Sequence, residues 1–262
     1  MTDWDSYLRF AIRLADRAAE ITLPSFRAGL AVADKSTGPL LDPVTRADRE
    51  AERAMRALIA ETYPDHGILG EEYGEVAGTG SWRWILDPID GTRSYICGMP
   101  LWGTLIALNH GGRPIIGVAD LPALGERFVG GPKGSFLGTR RLRTRGRAGL
   151  EDAVMFTTDP DMFTTDIARA AYGDIERRVR LRRFGGDCYG YCMLAYGLVD
   201  LVVEGDIKPY DIQPLIPVIE GAGGRISRWN GTSAVDGGLV VAAGDAELHA
   251  RAVDCLRLAD PD

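Results

Sequence analysis

Two carboxylates three residues apart, Asp87 and Asp90, follow the apolar run Trp84-Ile85-Leu86, and Gly91 and Thr92 come directly after them. The run has the composition of a buried strand, and Pro88 removes the next backbone donor, so the strand should stop there. Two acids and a hydroxyl are thus displayed at a strand end, beside a glycine that lets backbone N–H groups approach a ligand. An isolated Asp-Gly pair is more often a surface turn. Here Asp, Pro, Asp, Gly and Thr coincide after a buried run, which marks a site. Two further acids hold comparable places. Glu71 follows Ile68-Leu69-Gly70, and Asp211 opens a helix after Tyr210. Neighbours on extended chain point opposite ways, so at most one of Glu71 and Glu72 can face a site shared with Asp87.

Glu71, Asp87, Asp90 and Asp211, with a carbonyl from Ile89, form a hard oxygen donor set, and none of the chain's three histidines lies beside them. Such a set suits Mg²⁺ or Mn²⁺ rather than zinc or copper. Four adjacent carboxylates repel one another until cations neutralise them. Two divalent ions would make the pocket ready for a phosphate and clamp the attacking and leaving oxygens of a phosphoryl transfer. Gly91 and Thr92 could then offer N–H groups to the phosphate. Rival phosphatase chemistries lack their residues. No arginine closes the short loop after Cys97, Asp87 and Asp90 are separated by two residues where an aspartyl nucleophile needs one, and no P-loop pattern occurs. An activated water is the preferred nucleophile.

The elements that must position these groups follow from periodicity. The 262 residues, 45% hydrophobic and 26% charged, can bury a sizeable core, and 33 Gly with 14 Pro imply many tight turns. Apolar spacing over 4–23 predicts an amphipathic helix that Pro24 ends or bends. Thr45-Arg46-Ala47-Asp48 opens a second helix in the pattern of a capped start, which is a sufficient structural role for Asp48. Between them a breaker-rich loop carries Lys35. Residues 101–109, 114–120 and 126–130 read as strands and 135–143 as a hairpin, with no helices between. Strands at 153–157, 179–184, 200–204, 225–229 and 239–243 then alternate with helices at about 161–172, 187–196, 211–222 and 245–258. Asn230-Gly231 signals a hairpin-type turn, and Pro217 should kink its helix. The expectation is an α/β (α+β layered) chain, one catalytic domain over 1–262. Its lobes are an antiparallel-rich one at about 1–148 and an α/β one at about 149–262, with a cleft between.

A formal net charge of −7 argues against nucleic acid as the main partner. The basic run from Arg140 to Arg147 reads as a solvated hairpin edge. Four scattered cysteines make no disulfide framework and no C-x-x-C. With an acidic start, Met1-Thr2-Asp3-Trp4-Asp5, and no run approaching 18 apolar residues, the expectation is a cytoplasmic protein with no membrane span.

Gly70-Glu71-Glu72, then Trp84 through Thr92, then Tyr210-Asp211 with Glu220-Gly221-Ala222-Gly223-Gly224, together resemble the inositol monophosphatase superfamily over nearly the whole chain. The resemblance implies an αβαβα sandwich, Mg²⁺ dependence, lithium sensitivity and a homodimer. It implies metal ligands at Glu71, Asp87, the Ile89 carbonyl, Asp90 and Asp211. Thr92 and Asp48 would orient the attacking water, and Lys35 would lie on a loop closing near the site. The family usually has Trp where this chain has Tyr210, and Asn where it has Ser94. The stretch from Thr92 to Leu108 and the run Gly185-Gly186-Asp187-Cys188-Tyr189-Gly190-Tyr191 resemble the histidinol-phosphate phosphatase branch. That branch implies hydrolysis of L-histidinol phosphate in histidine biosynthesis, with substrate contacts at Gly91, Thr92, Arg93, Asp187, Glu204 and Asp211. Two acids, Asp187 and Glu204, suit a cationic amine and imidazole better than a neutral polyol. Asp187 could equally cap the helix it begins. The alternatives are an inositol-1-phosphate or broad sugar-phosphate phosphatase of the same fold, and a regulatory binding protein that keeps the fold and contacts a partner such as the transcription machinery.

Overall fold

The computed structural model describes residues 4–29, 32–34, 43–146 and 149–260. A short pair, β1 (Val32–Asp34) and β2 (Pro43–Thr45), precedes the first large sheet. That sheet contains β3 (Gly67–Gly70), β4 (Gly74–Val76), β5 (Trp82–Asp90), β6 (Gly103–His110), β7 (Arg113–Leu121), β8 (Glu126–Gly131), β9 (Gly134–Leu137) and β10 (Arg140–Arg141). Its order is β10-β9-β8-β7-β6-β5-β3-β4, antiparallel throughout except β3 against β5. The second sheet, in order β12-β11-β13-β15-β14, is built from β11 (Val154–Thr157), β12 (Leu181–Phe184), β13 (Leu201–Ile207), β14 (Arg225–Arg228) and β15 (Gly238–Ala243). Its first three neighbours are parallel and the rest antiparallel. Arg140 and Arg141 do form a sheet edge; Arg147 lies outside the described residues.

The helices fill three layers. Helices α1 (Trp4–Ser25) and α2 (Arg46–Thr62) cover one face of the large sheet, where Phe10, Ala11, Leu14, Ala15 and Ala18 meet Met55, Ile59, Trp84 and Leu86. The alanines let the two helices pack closely. After α3 (Thr92–Ile96) and α4 (Asp166–Arg178) come α5 (Asp187–Tyr196), α6 (Pro209–Ile212), α7 (Leu215–Gly221) and α8 (Ala246–Leu256). Helices α5 and α7 lie between the sheets, in a core with Leu105, Phe128, Val202 and Val240. Helices α4 and α8 cover the outer face of the small sheet. The layering is αβαβα, as expected.

Several local expectations change. Pro24 sits inside the last turn of α1, which runs to Ser25. The strand before the site does not stop at Pro88. It continues to Asp90 through a register shift against β6 between Asp87 and Asp90. The bulge absorbs the missing donor, and the Pro88 carbonyl accepts from Thr104 Oγ1 (2.8 Å). The helix expected at 161–172 starts later. A 3-10 turn, Pro160–Met162, comes first, and Thr165 caps α4 by accepting from the Ala168 N–H (3.1 Å). The helix expected at 211–222 is two helices, because Pro214 has no N–H to continue a ladder and instead stands at the N-cap of α7. Pro217 is therefore third in α7, where an N–H would lack a helical partner anyway, so it breaks nothing. It packs flat on the large sheet: a Cβ at Gly130 would meet Pro217 backbone at 2.3 Å, and one at Gly117 the Pro214 carbonyl at 1.9 Å. Asn230-Gly231 does turn, with Gly231 at φ +86° and donating to the Arg228 carbonyl (2.9 Å). The connection nevertheless runs on to Gly238, because Trp229 is buried in the core.

Glu71 follows β3, and a buried carboxylate beneath sets its position. Glu52 of α2 is fully buried and accepts from the Glu72 N–H (2.7 Å), the Tyr73 N–H (3.2 Å) and Arg56 Nε (2.7 Å). Gly70 makes room, since a Cβ there would lie 2.1 Å from Glu52 Oε1. At the start of β5, His66 Nδ1 accepts from Trp84 Nε1 (3.1 Å) while its ring stacks on Tyr63 and Trp82. Burial holds the imidazole pKa below its usual value, with Asp65 opposing.

Gly70→Ala is expected to destabilise the protein by about 2–3 kcal/mol in urea unfolding, by displacing Glu52 and releasing two amides. The His66 shift has a definite sign. The native state binds fewer protons than the unfolded chain near pH 6.5, so this stability is present above that pH and lost as pH falls through it. His66→Gln, which keeps an acceptor but cannot titrate, should melt with a weaker loss between about pH 7 and 5 than wild type; parallel melting curves would contradict the assignment.

Candidate active site

A cavity of about 400 Å³ opens between the carboxyl end of β5 and the second sheet. Glu71, Asp87, Ile89, Asp90, Gly91, Thr92, Arg93, Asp187, Glu204 and Asp211 all line it. Asp87, Asp90 and Asp211 each offer a carboxylate oxygen, and these oxygens lie within 4.8 Å of one another. Backbone donors aim them. The Ile89 N–H donates to Asp87 Oδ1 (3.0 Å), the Cys188 N–H to Asp90 Oδ2 (2.7 Å) and the Lys208 N–H to Asp211 Oδ2 (2.7 Å). Asp211 is thus the third residue of α6, reaching back to the chain before it, and not an N-cap. Gly91 turns at φ +80° between β5 and α3, a conformation that favours glycine, and a Cβ there would lie 3.0 Å from Asp187 Cγ. Thr92 Oγ1 donates to the Ile89 carbonyl (2.9 Å). Of the Glu-Glu pair, Glu71 faces the cavity, while the buried Glu72 side chain lies 3.7 Å from Arg49 Nε.

Two further acids, Asp187 and Glu204, line the same cavity, with Asp187 packed beside Gly91. Asp187 begins α5 but makes no capping bond; its carboxylate accepts from Ser94 Oγ (2.7 Å). Its φ of +44° is left-handed, a strained conformation for a side chain with a Cβ. Glu204 on β13 is buried and accepts from the N–H (2.9 Å) and hydroxyl (3.0 Å) of Thr158, whose Oγ1 also accepts from the Asp187 N–H (3.1 Å). Arg93 reaches Asp159 across the mouth (3.4 Å).

One expected residue is not on the wall. Asp48 is buried in the capping box of α2, where Oδ2 accepts from the Thr45 N–H (2.9 Å) and hydroxyl (2.5 Å). Its Oδ1 is buried with no hydrogen-bond partner among the described residues, and burial pushes its pKa up to about 6. Lys35 lies outside the described residues. Reading the sequence missed Thr158 and Tyr191, which also line the cavity. Thr158 directly follows β11, and carboxyl ends of parallel strands are where ligands bind. Tyr191 stands one turn after Asp187 on α5, so it projects from the same helix face.

Burial and mutual repulsion raise the acids together. Asp87 is held well above the usual carboxylate range by burial, then by Glu71, Asp90 and Asp211. Asp211 is raised by burial and Asp90, and Glu204 chiefly by burial. Burial, with Asp90 nearby, pushes Asp187 up to about 7. Converging hard oxygens whose charge is poorly tolerated fit a divalent cation: Asp87, Asp90 and Asp211 can hold one directly, with Glu71 and the Ile89 carbonyl on the same wall. The cavity therefore joins a carboxylate cluster able to hold a cation to two further acids, Asp187 and Glu204.

The sequence pattern of the inositol monophosphatase family matches residues 3–257. The chain is 41% identical over 274 aligned positions to the Arabidopsis thaliana protein named bifunctional phosphatase IMPL2, chloroplastic, covering 97% of this chain and 76% of that one. It is 35% identical to the histidinol-phosphatase of Chlorobaculum parvum, covering 91% and 92%. It also superposes on the solved structure of an inositol monophosphatase from Zymomonas mobilis with a TM-score of 0.87, at 39% identity and 98% and 99% coverage. Among the described residues no helix is long and apolar enough to cross a membrane. With the layered fold, the carboxylate cluster at the end of β5 and these likenesses in agreement, the chain belongs to the inositol monophosphatase family of metal-dependent phosphatases.

Proposed function

We propose that this phosphatase hydrolyses L-histidinol phosphate to L-histidinol and phosphate, the late phosphatase step of histidine biosynthesis, with Mg²⁺ or Mn²⁺ as its cofactor. The observation that carries the reading is the pairing, in one cavity, of the Asp87–Asp90–Asp211 cluster with two further acids, Asp187 and Glu204. The cluster takes the phosphate and the two acids the amine and imidazole. Relatives named histidinol-phosphatase support it.

Glu71, Asp87, the Ile89 carbonyl, Asp90 and Asp211 would hold the metal, which when bound supplies positive charge for the phosphate and a water of lowered pKa. Thr92 and Asp48 would aim that water; Asp48 uses Oδ2 in the cap of α2, and its Oδ1, without a hydrogen-bond partner among the described residues, would be left for the catalytic role. The Gly91 and Thr92 amides would meet the phosphate, with Arg93 at the mouth. Thr158 fixes Glu204, and Ser94 fixes Asp187, so both acids face the substrate without being free to turn away. We take residues 1–262 as one catalytic domain with lobes at about 1–148 and 149–262, because both halves supply cavity walls. Work as a homodimer in the cytoplasm belongs to the same proposal. A preference for inositol 1-phosphate is the second reading, favoured by the likeness to the Zymomonas mobilis enzyme.

Purified protein with Mg²⁺ should turn over histidinol phosphate in clear preference to inositol 1-phosphate, fructose 1,6-bisphosphate and adenosine 3′,5′-bisphosphate. Asp187→Asn should raise KM for histidinol phosphate about tenfold or more, the worth of one charge-assisted contact, with little change on inositol 1-phosphate. A wild-type preference for inositol 1-phosphate would sink the substrate assignment.

A further inference from the structure

Thr158 lines the cavity one residue beyond β11, and it bonds to both Glu204 and Asp187. Its N–H (2.9 Å) and its hydroxyl (3.0 Å) donate to the same oxygen of Glu204, Oε1. Oε2 takes no bond from Thr158 and is the oxygen left for a ligand in the cavity. The hydroxyl oxygen in turn accepts from the Asp187 N–H (3.1 Å), and the Thr158 carbonyl accepts from the Gly185 N–H (2.9 Å). One residue therefore grips β13 and the turn that enters α5. A hydroxyl that gives its proton to a carboxylate becomes a better acceptor, so its two bonds strengthen each other.

Asp187 depends on that grip. Its φ of +44° costs backbone energy and persists only where neighbours hold it. The Thr158 hydroxyl holds the backbone, and Ser94 Oγ holds the carboxylate (2.7 Å). Without the first bond the residue can relax toward an ordinary helix start and draw its carboxylate from its place beside Gly91. We propose that Thr158 is a positioning residue that sets specificity, its one hydroxyl tying Glu204 and Asp187 into a single recognition unit for a phosphate ester with a cationic amine end. The inference rests on the histidinol-phosphate reading of the site. Ser94 acts on one acid alone, whereas Thr158 acts on both, so the two acids should respond together to its loss.

Thr158→Val keeps the shape and removes the hydroxyl. With histidinol phosphate and Mg²⁺, KM should rise about tenfold or more while kcat moves by less than about threefold. With p-nitrophenyl phosphate, which has no cation for the acids to bind, both constants should stay within about threefold. Thr158→Ser, which restores the hydroxyl, should return KM to within about threefold of wild type. Asp187→Asn should raise KM about tenfold in wild type but less than about threefold in the valine variant, because the two share one unit. Thr158→Cys, similar in size with a weak donor, gives the same reading if the valine variant does not fold. Equal losses on both substrates, a fall in kcat alone, failure of serine to rescue, additive losses with Asp187→Asn, or loss of fold in both the valine and cysteine variants would overturn the inference. Wild-type protein without a preference for histidinol phosphate would overturn the substrate reading itself. A wild-type preference that the valine variant keeps would overturn the inference alone.

Discussion

Mutual repulsion among clustered carboxylates, with Asp87 buried among them, is the constraint around which this molecule is built. Asp87, Asp90 and Asp211 place oxygens within 4.8 Å of one another, Asp87 buried and the other two half-buried, with Glu71 beside them. Left alone, such a group favours protonation or unfolding. Each of the three aspartates is nonetheless held in place by a backbone N–H, from Ile89, Cys188 and Lys208 respectively. The rest of the fold supplies those donors. The bulge in β5 presents Asp87 and Asp90, the start of α5 brings the Cys188 amide, and the chain into α6 brings Asp211 and the Lys208 amide.

The same logic explains features that contribute nothing to the core. The left-handed turn at Asp187 costs backbone energy, and Gly91 must lack a side chain to accommodate that carboxylate. Glu52 is fully buried and holds the turn that carries Glu71. Strain and buried charge concentrated at one cavity are the marks of a site shaped for ligands rather than for stability.

The layered architecture and most elements were legible in the sequence, because period-2 and period-3.6 patterning is what burial on two sheets and six longer helices requires. Helix α5 falls at its expected residues, bounded by Gly186 and a left-handed Gly197. Misreadings cluster at prolines and caps. Pro88 looked like a stop but sits in a bulge, and Pro214 splits what apolar spacing alone made one helix. Ten of the proposed site residues meet in one cavity because their motifs end strands or start helices. Thr158 and Tyr191 escaped notice since neither type suggests chemistry until the second sheet folds beside β5. Asp48 was ambiguous for a physical reason: one oxygen caps a helix and the other has no partner among the described residues.

The account stands or falls on whether a divalent cation is what makes the carboxylate cluster tolerable. The most direct measurement is the melting temperature of chelator-treated protein, with and without saturating Mg²⁺, for wild type and Asp87→Asn. Asparagine keeps an acceptor for the Ile89 N–H but removes a buried charge. The account predicts that wild type gains several degrees from Mg²⁺, whereas Asp87→Asn without metal melts at or above metal-free wild type and gains little. A metal-free variant that melts lower, with the same Mg²⁺ increment as wild type, would contradict it.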